Sequence, residues 1–333
     1  MLVSAPILVA TVVLNVLVPA LTPPAYRFLG FVYAWDDGAG YLAAMREGAG
    51  GAWLFTLPYT AQHTDAFFLY AQYLLLGHLA AGLALEPVVV FHLARLAASA
   101  LLLASLYVFL GRVFREPRER RLAFLLAGLG SGFGWLALIS GHLSPDLWQY
   151  EAFVFLSMLA SPHFALGMAC FLWLMDLLSR DNLPLTRSEW LRLAGGAAIL
   201  AAIQPYALVV VAVVIGVWLC VRWVHAHELI RARLFRLAVV VLSAAPFALY
   251  YVWAQANVPA FAGWQAQDIT LSPPPTDYLI AGGLPLAFAL VGAALTAREV
   301  RNRPVATRQG TGGTGTLLLV WLCLGSLLLY EPL

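Results

Sequence analysis

An all-α polytopic bundle of transmembrane helices is the fold class that three features of this sequence predict. Of its 333 residues 62% are hydrophobic and only 11% charged, and the mean hydropathy is +0.83, far outside the range of a soluble domain. Apolar stretches of about twenty residues recur along the chain, the length that crosses a bilayer. The basic residues, every one of them arginine, fall in clusters between those stretches. The lack of lysine reads as composition bias, and a net charge of +2 gives no argument for nucleic acid. Cys170, Cys220 and Cys323 lie inside apolar segments, which suits core packing better than disulfides or zinc.

The first segment, Leu2 to Leu21, lacks a basic leader and a clean cleavage site, so it reads as a retained span rather than a signal peptide. Four arginine clusters, Arg112 to Arg121, Arg180 to Arg192, Arg222 to Arg236 and Arg298 to Arg308, are assigned to the cytoplasm. With the N-terminus inside, only one of the next two apolar stretches, Ala66 to Leu85 and Pro87 to Leu110, crosses. Ala66 to Leu85 is the exception, because Tyr70, Gln72, Tyr73 and His78 mark an interfacial helix broken by Gly77 and Gly82. The organisation is therefore a first span over 1–22, a large external loop with two juxtamembrane helices over 23–86, a transmembrane core over 87–256 and C-terminal spans over 257–333.

Within the core, Leu122 to Gly141 runs outward through the small residues of 128–134, which permit close helix packing. An external loop follows, His142 to Glu151. Ala152 to Leu178 is interrupted at Ser161-Pro162-His163, since a residue before proline avoids the helical region, and the crossing proper is His163 to Leu178. Leu191 to Val221 has arginines at both ends and breaks at Gln204-Pro205-Tyr206. It reads as a hairpin of two shortened helices with its bend outward, a broken backbone tolerated only where protein packs it or a cavity meets it. Arg236 to Ala256 goes out, Pro273 to Pro275 stays outside, Tyr278 to Ala297 returns, and Thr316 to Tyr330 leads out again. The stop just beyond that span reads as a truncated chain or a minimal version of a longer one. The Gly-Thr segment 309–315 is a flexible linker by composition.

On this topology the ionisable groups separate. Asp36, Asp37, His63, Asp65, Asp146, Glu151, His163 and Asp268 gather on the external side, opposite nearly all the arginines. Asp36 and Asp37 are adjacent at the exit of the first span, where each raises the cost of ionising the other unless something answers them. The plainer reading is a helix cap, with Gly38 and Gly40 easing a bend. In the same spirit Asp65 could cap a helix over Phe67 to Tyr70, His163 could serve a local carbonyl, and Glu151 could be solvated. Arg95 lies two turns into a span with His92 on the same face; a central arginine costs roughly 2.5 to 3.5 kcal/mol on insertion scales. It calls for a salt bridge to a neighbouring helix or for a phosphate, which its forked geometry fits. Gly128 to Gly134 lacks the context of a nucleotide-binding loop, and His225-Ala-His227 is too short for a metal site.

In the order of its parts the chain resembles the GT-C superfamily of polytopic glycosyltransferases, especially bacterial protein mannosyltransferases and aminoarabinose transferases. The likeness rests on a first span, an external Asp36-Asp37 motif with Tyr41, a juxtamembrane helix ending Arg46-Glu47-Gly48, an interfacial helix over Phe67 to Leu85, and a crossing that carries Arg95 and ends at Arg112. The resemblance implies transfer of a sugar from a polyprenyl-phosphate carrier to a lipid, glycan or protein acceptor on the external face of the cell membrane. Asp37, or else Asp36, would be the base. Asp146 or Glu151 would be a second acid, Arg95 or His163 would answer the phosphate, and Tyr41 and His63 would line the site. A divalent metal ion would be held by Asp36, Asp37, Asp146 and Glu151, although the second loop has no Asp-x-Asp pair. The competing classes are a transporter or lipid flippase with broken helices at Pro162 and Pro205, and a non-catalytic membrane scaffold, which gives no reason for acids to gather on one face.

Overall fold

Proline punctuates the helices, as the sequence expects. In the computed structural model, which describes residues 4–58, 64–180, 184–226, 231–267, 272–302 and 311–328, the elements are α1 (Ser4–Leu21), α2 (Trp35–Ala49), α3 (Ala71–Leu83), α4 (Pro87–Val113), α5 (Pro117–Leu129), α6 (Gly134–Ala137), α7 (Val154–Ala160), α8 (Pro162–Ser179), α9 (Arg187–Ile203), α10 (Pro205–Ala226), α11 (Arg231–Asn257), α12 (Pro259–Gln267), α13 (Pro275–Asn302) and α14 (Thr311–Leu328). Before Pro87, Pro117 and Pro162 the backbone is extended, at Glu86, Glu116 and Ser161. That is the conformation a following proline enforces, and the ring then supplies a helical φ at the first position. Among the described residues seven helical segments are long and apolar enough to cross a membrane: α1, α4, the run from Pro117 to Ser140, α8, α10, α11 and α13.

The most enclosed of these is α8, which packs on α4, α9 and α10. Its buried face, with Cys170, Leu174 and Met175, meets Leu102, Leu193 and Trp218 in the main apolar core. A second core joins α2, α3 and the start of α4 around Tyr41, Met45, Phe55, Tyr73 and Phe91. There α2 and α3 touch backbone to backbone. A Cβ added at Gly48 would stand 2.1 Å from the Leu74 carbonyl oxygen, and one at Gly77 would stand 2.0 Å from that of Met45. Ahead of α3, a single antiparallel bridge pairs Phe55 with Phe67, and Tyr70 occupies the position before the helix. Asp65 therefore caps nothing.

Three expectations change in detail. The hairpin at Gln204 exists as a break, but α10 is not shortened. It runs on past Arg222, whose guanidinium lies 5.9 Å from the centre of the buried Trp218 ring. The outward crossing after α5 is interrupted at 130–133, where the amide of Phe133 donates to the Ile280 carbonyl. Opposite it, α13 is bent at Gly283, with φ at 45°.

Arginines from three of the four clusters, Arg112, Arg180, Arg233 and Arg236, meet at one end of the bundle. Asp176, in the last turn of α8, pairs with Arg112 at 2.9 Å and Arg180 at 2.6 Å, and Arg180 also bonds Glu189. Arg236 donates to the Leu177 and Arg180 carbonyls and Arg233 to that of Arg180. Cations thus answer both the acid and the unpaired carbonyls at the C-terminus of α8.

Arg95 is a clamp rather than a ligand-binding group. Its guanidinium is 1% exposed and donates to the Met158 carbonyl at 2.7 Å, the Thr11 carbonyl at 3.0 Å and His92 Nδ1 at 3.3 Å. His92 in turn bonds the Gly30 carbonyl at 2.7 Å. One side chain thereby ties α4 to α1 and α7. Replacing it by methionine leaves the Met158 carbonyl without a donor, since Pro162 has no N–H to offer it, at about 1–3 kcal/mol for a buried group left unsatisfied, and cuts the tie to Thr11, whose carbonyl keeps Asn15. Arg95→Met should therefore lower the thermal unfolding midpoint in detergent sharply. Arg95→Lys should recover only part of the loss, because one ammonium cannot span the carbonyls.

Candidate functional site

The end opposite the arginines carries the acids, and a loop from 145 to 153 brings them to the bundle. The helix α2 starts at Trp35 after Ala34 in a left-handed turn, so Asp36 and Asp37 occupy its first turn rather than its cap. Carboxylates are favourable there beside unpaired amides. Successive helical residues diverge by about 100°, which separates the pair: Asp36 is exposed, and Asp37 is turned half inward. The Asp37 carboxylate accepts a 2.5 Å hydrogen bond from the Tyr150 hydroxyl. Tyr150 also packs on Phe164 at 4.4 Å and edge-on against Tyr33 at 6.3 Å. Burial, the bond to Asp37, and the charges of Asp37, Glu151 and Asp36 together hold its phenol well above the usual tyrosine range, so Tyr150 acts as a proton-bearing donor. Burial likewise pushes Tyr33 up to about 12, and its hydroxyl donates to the Leu147 carbonyl.

Next to Tyr150 in sequence, Glu151 belongs to a second strand of contacts. Its Oε1 accepts from the Tyr206 hydroxyl at 3.1 Å, and Tyr206 accepts from Gln204 Nε2 at 3.0 Å. Gln204 is the residue at the break between α9 and α10, and it is buried. Its amide fits only because α8 has a glycine opposite: a Cβ at Gly167 would lie 1.8 Å from Gln204 Oε1. Glu151, Gln204 and Tyr206, with Gln149, head a pocket of about 440 Å³ whose remaining lining is apolar, including Leu106, Phe164, Phe171, Val210 and Trp321. Although Glu151 opens onto this pocket, the surrounding protein mass raises its carboxyl above the usual range, the Asp37 charge adds to the rise, and the Tyr206 bond offsets part of it.

His163 and Tyr41 belong to the adjoining aromatic wall. His163 Nδ1 is 2.6 Å from the Tyr73 hydroxyl, with Tyr41 stacked on Tyr73 at 4.3 Å and edge-on to His163 at 5.2 Å. The histidine is 8% exposed and serves a phenol, not a local carbonyl. Burial, the neighbouring phenols and the charge of Asp37 raise Tyr41 well above the usual tyrosine range, so it stays neutral beside the acid.

Two residues expected at the site lie away from these contacts. Asp146 is buried in the turn Pro145–Leu147, and its Oδ2 accepts from Ser131 Oγ at 2.9 Å and from the amides of Gly132 at 2.9 Å and Gly134 at 3.1 Å. It fastens the glycine loop after α5. Arg95 is committed to carbonyls and His92, as described above. His63 and Asp268 lie outside the described residues, as does His227. Among the described residues no three of His, Cys, Asp and Glu converge as metal ligands. The set Asp36, Asp37, Asp146 and Glu151 therefore does not fit a divalent ion, because Asp146 turns into its own loop and Asp36 faces out.

Sequence reading passed over Tyr150 and Tyr206. The available signals were the Tyr150-Glu151 pair and the aromatic after Pro205, noted only as a neighbour and a helix break.

The raised Glu151 carboxyl makes a pH prediction. Because its folded-state value exceeds the unfolded one, its contribution to stability is full below the unfolded value and is lost as pH rises through the folded value. Glu151→Gln, which keeps an acceptor for Tyr206, should remove that loss. Thermal unfolding in detergent should show the variant matching or exceeding the parent near neutral pH, with its advantage shrinking as pH falls toward about 4.5.

Against known proteins, the chain has no match among family models, curated proteins or solved structures.

Proposed function

We propose that the chain is a membrane glycosyltransferase of GT-C type. It moves a sugar from a polyprenyl-phosphate carrier to an acceptor hydroxyl on the side opposite the arginine end, with Asp37 as base. The observation that carries the reading is the Asp37 carboxylate, held by Tyr150, the residue next to a second carboxylate, Glu151. The positive-inside rule favours a cytoplasmic arginine end, which supports an external site. Carboxylates that accept hydroxyl protons and aromatic rings that take the apolar face of a ring suit a carbohydrate. The half-buried Tyr33 and Tyr150 supply the rings.

In the proposed reaction the acceptor oxygen bonds to the anomeric carbon as Asp37 takes its proton. The bond from that carbon to the phosphate oxygen breaks, and the polyprenyl phosphate leaves with the electron pair. Such a leaving group departs readily, so the protein has mainly to orient the acceptor and accept a proton. Tyr150 fixes the orientation of the Asp37 carboxylate. Neither Arg95 nor a metal ion enters the scheme, since the first is occupied and the donor set does not fit the second.

A flippase is the second reading. Gln204, at one helix break, and the chain just beyond the other, at Ser161-Pro162, both border the pocket.

The test is release of polyprenyl phosphate from a panel of polyprenyl-phosphate hexoses and pentoses by protein in proteoliposomes. Asp37→Asn should cut turnover by about 10²- to 10⁴-fold, the range for loss of a general base. Tyr150→Phe should cut it by about tenfold or more, as befits one charge-assisted hydrogen bond. Asp36→Asn should have far less effect. Full turnover by folded Asp37→Asn and Asp36→Asn proteins would end the transferase reading, and fast exchange of a labelled lipid between leaflets without any release would establish the flippase.

A further inference from the structure

The lining of the 440 Å³ pocket contains one charged side chain, and it is an acid. Glu151 stands at the head with Gln149, Gln204 and Tyr206, while among the described residues no arginine or histidine borders the space and the chain has no lysine. Below this polar head the walls are Leu106 of α4, Phe164, Met168, Phe171 and Leu172 of α8, and Val210 of α10, closed by Trp321 and Gly325 of α14. From Phe164 to Leu172 the pocket follows α8 for roughly 12 Å at about 1.5 Å per residue. That length and the apolar walls suit a single alkyl chain.

We infer that this pocket binds a single-chain amphiphile with an amine head, the ammonium seated between Glu151, Gln204 and Tyr206 and the chain running along α8 toward the middle of the bundle. Glu151 Oε1 accepts from Tyr206, and a carboxylate with about four acceptor sites keeps capacity for an ammonium hydrogen. The Gln204 amide donates to the same Tyr206 hydroxyl, so both groups are held in place before a ligand arrives. A phosphate or carboxylate head would meet the like charge of Glu151 with no cation in the lining to offset it. The inference does not rest on the transferase reading, because it concerns equilibrium binding at a pocket that needs no turnover.

Binding of hexadecylamine, hexadecanol and hexadecyl phosphate to the full chain in nanodiscs of neutral lipid tests it. The amine should bind at least tenfold more tightly than the alcohol, and the phosphate should bind most weakly. Glu151→Gln should abolish the preference for amine over alcohol while leaving alcohol binding within about twofold. Met168→Trp, which fills the middle of the pocket, should weaken amine and alcohol alike. If Met168→Trp does not fold, the Glu151→Gln comparison carries the test alone. Equal binding of amine and alcohol, tightest binding of the phosphate, an amine preference that survives Glu151→Gln, or binding unchanged in folded Met168→Trp would each overturn the assignment.

Discussion

Inside a bilayer no water completes a broken helix, so each interruption must find protein partners for its free carbonyls and amides. The guanidinium of Arg95 is where this constraint binds the most structure. From the wall of α4 it meets the carbonyl of Thr11 in α1 and that of Met158 in α7, and through His92 it reaches the turn at Gly30. Those contacts set where the first helix stands, where the short α7 ends before Pro162, and how the chain enters the segment that carries Asp37. A charge that looked from sequence like a seat for substrate phosphate is instead the fastening that lets the acidic end be assembled.

The same logic accounts for the division of charge. At the arginine end cations outnumber acids, and the surplus goes to the carbonyl terminus of α8 through Arg233 and Arg236. At the other end Asp37 and Glu151 are met chiefly by phenols, Tyr150 and Tyr206. A phenol stabilises a carboxylate without cancelling its charge. The acidic end therefore stays receptive to protons and cations, whereas the arginine end is spent on structure.

The sequence revealed most of the architecture, because its determinants are local. Prolines 87 and 162 start helices after an extended residue, and Pro205 starts one after the break at Gln204. What it concealed was non-local. Whether Asp146 faces a cavity or a glycine loop depends on a turn folding back onto residues 131–134. Whether Arg95 meets an anion or two carbonyls depends on helices more than sixty residues away in the chain on either side. For Asp36 and Asp37, a helix starting at Trp35 sends one outward and the other toward Tyr150, and the start position is fixed by the left-handed Ala34, which nothing in the residue type announces. The pairing of Tyr73 with His163, residues ninety apart, was hidden for the same reason.

The contact between α2 and α3 has a mechanical corollary. Because Gly48 and Gly77 bring the two backbones together without intervening side chains, the pair has no soft layer to shear and moves as one stiff arm. Asp37 sits near one tip of that arm, and the Tyr73–His163 bond pins it to α8. Any tilt of the arm, whether from a thinner bilayer or from a bulky partner docking on α3, would pivot about that pin and shift the carboxylate against the Tyr150 hydroxyl that holds it.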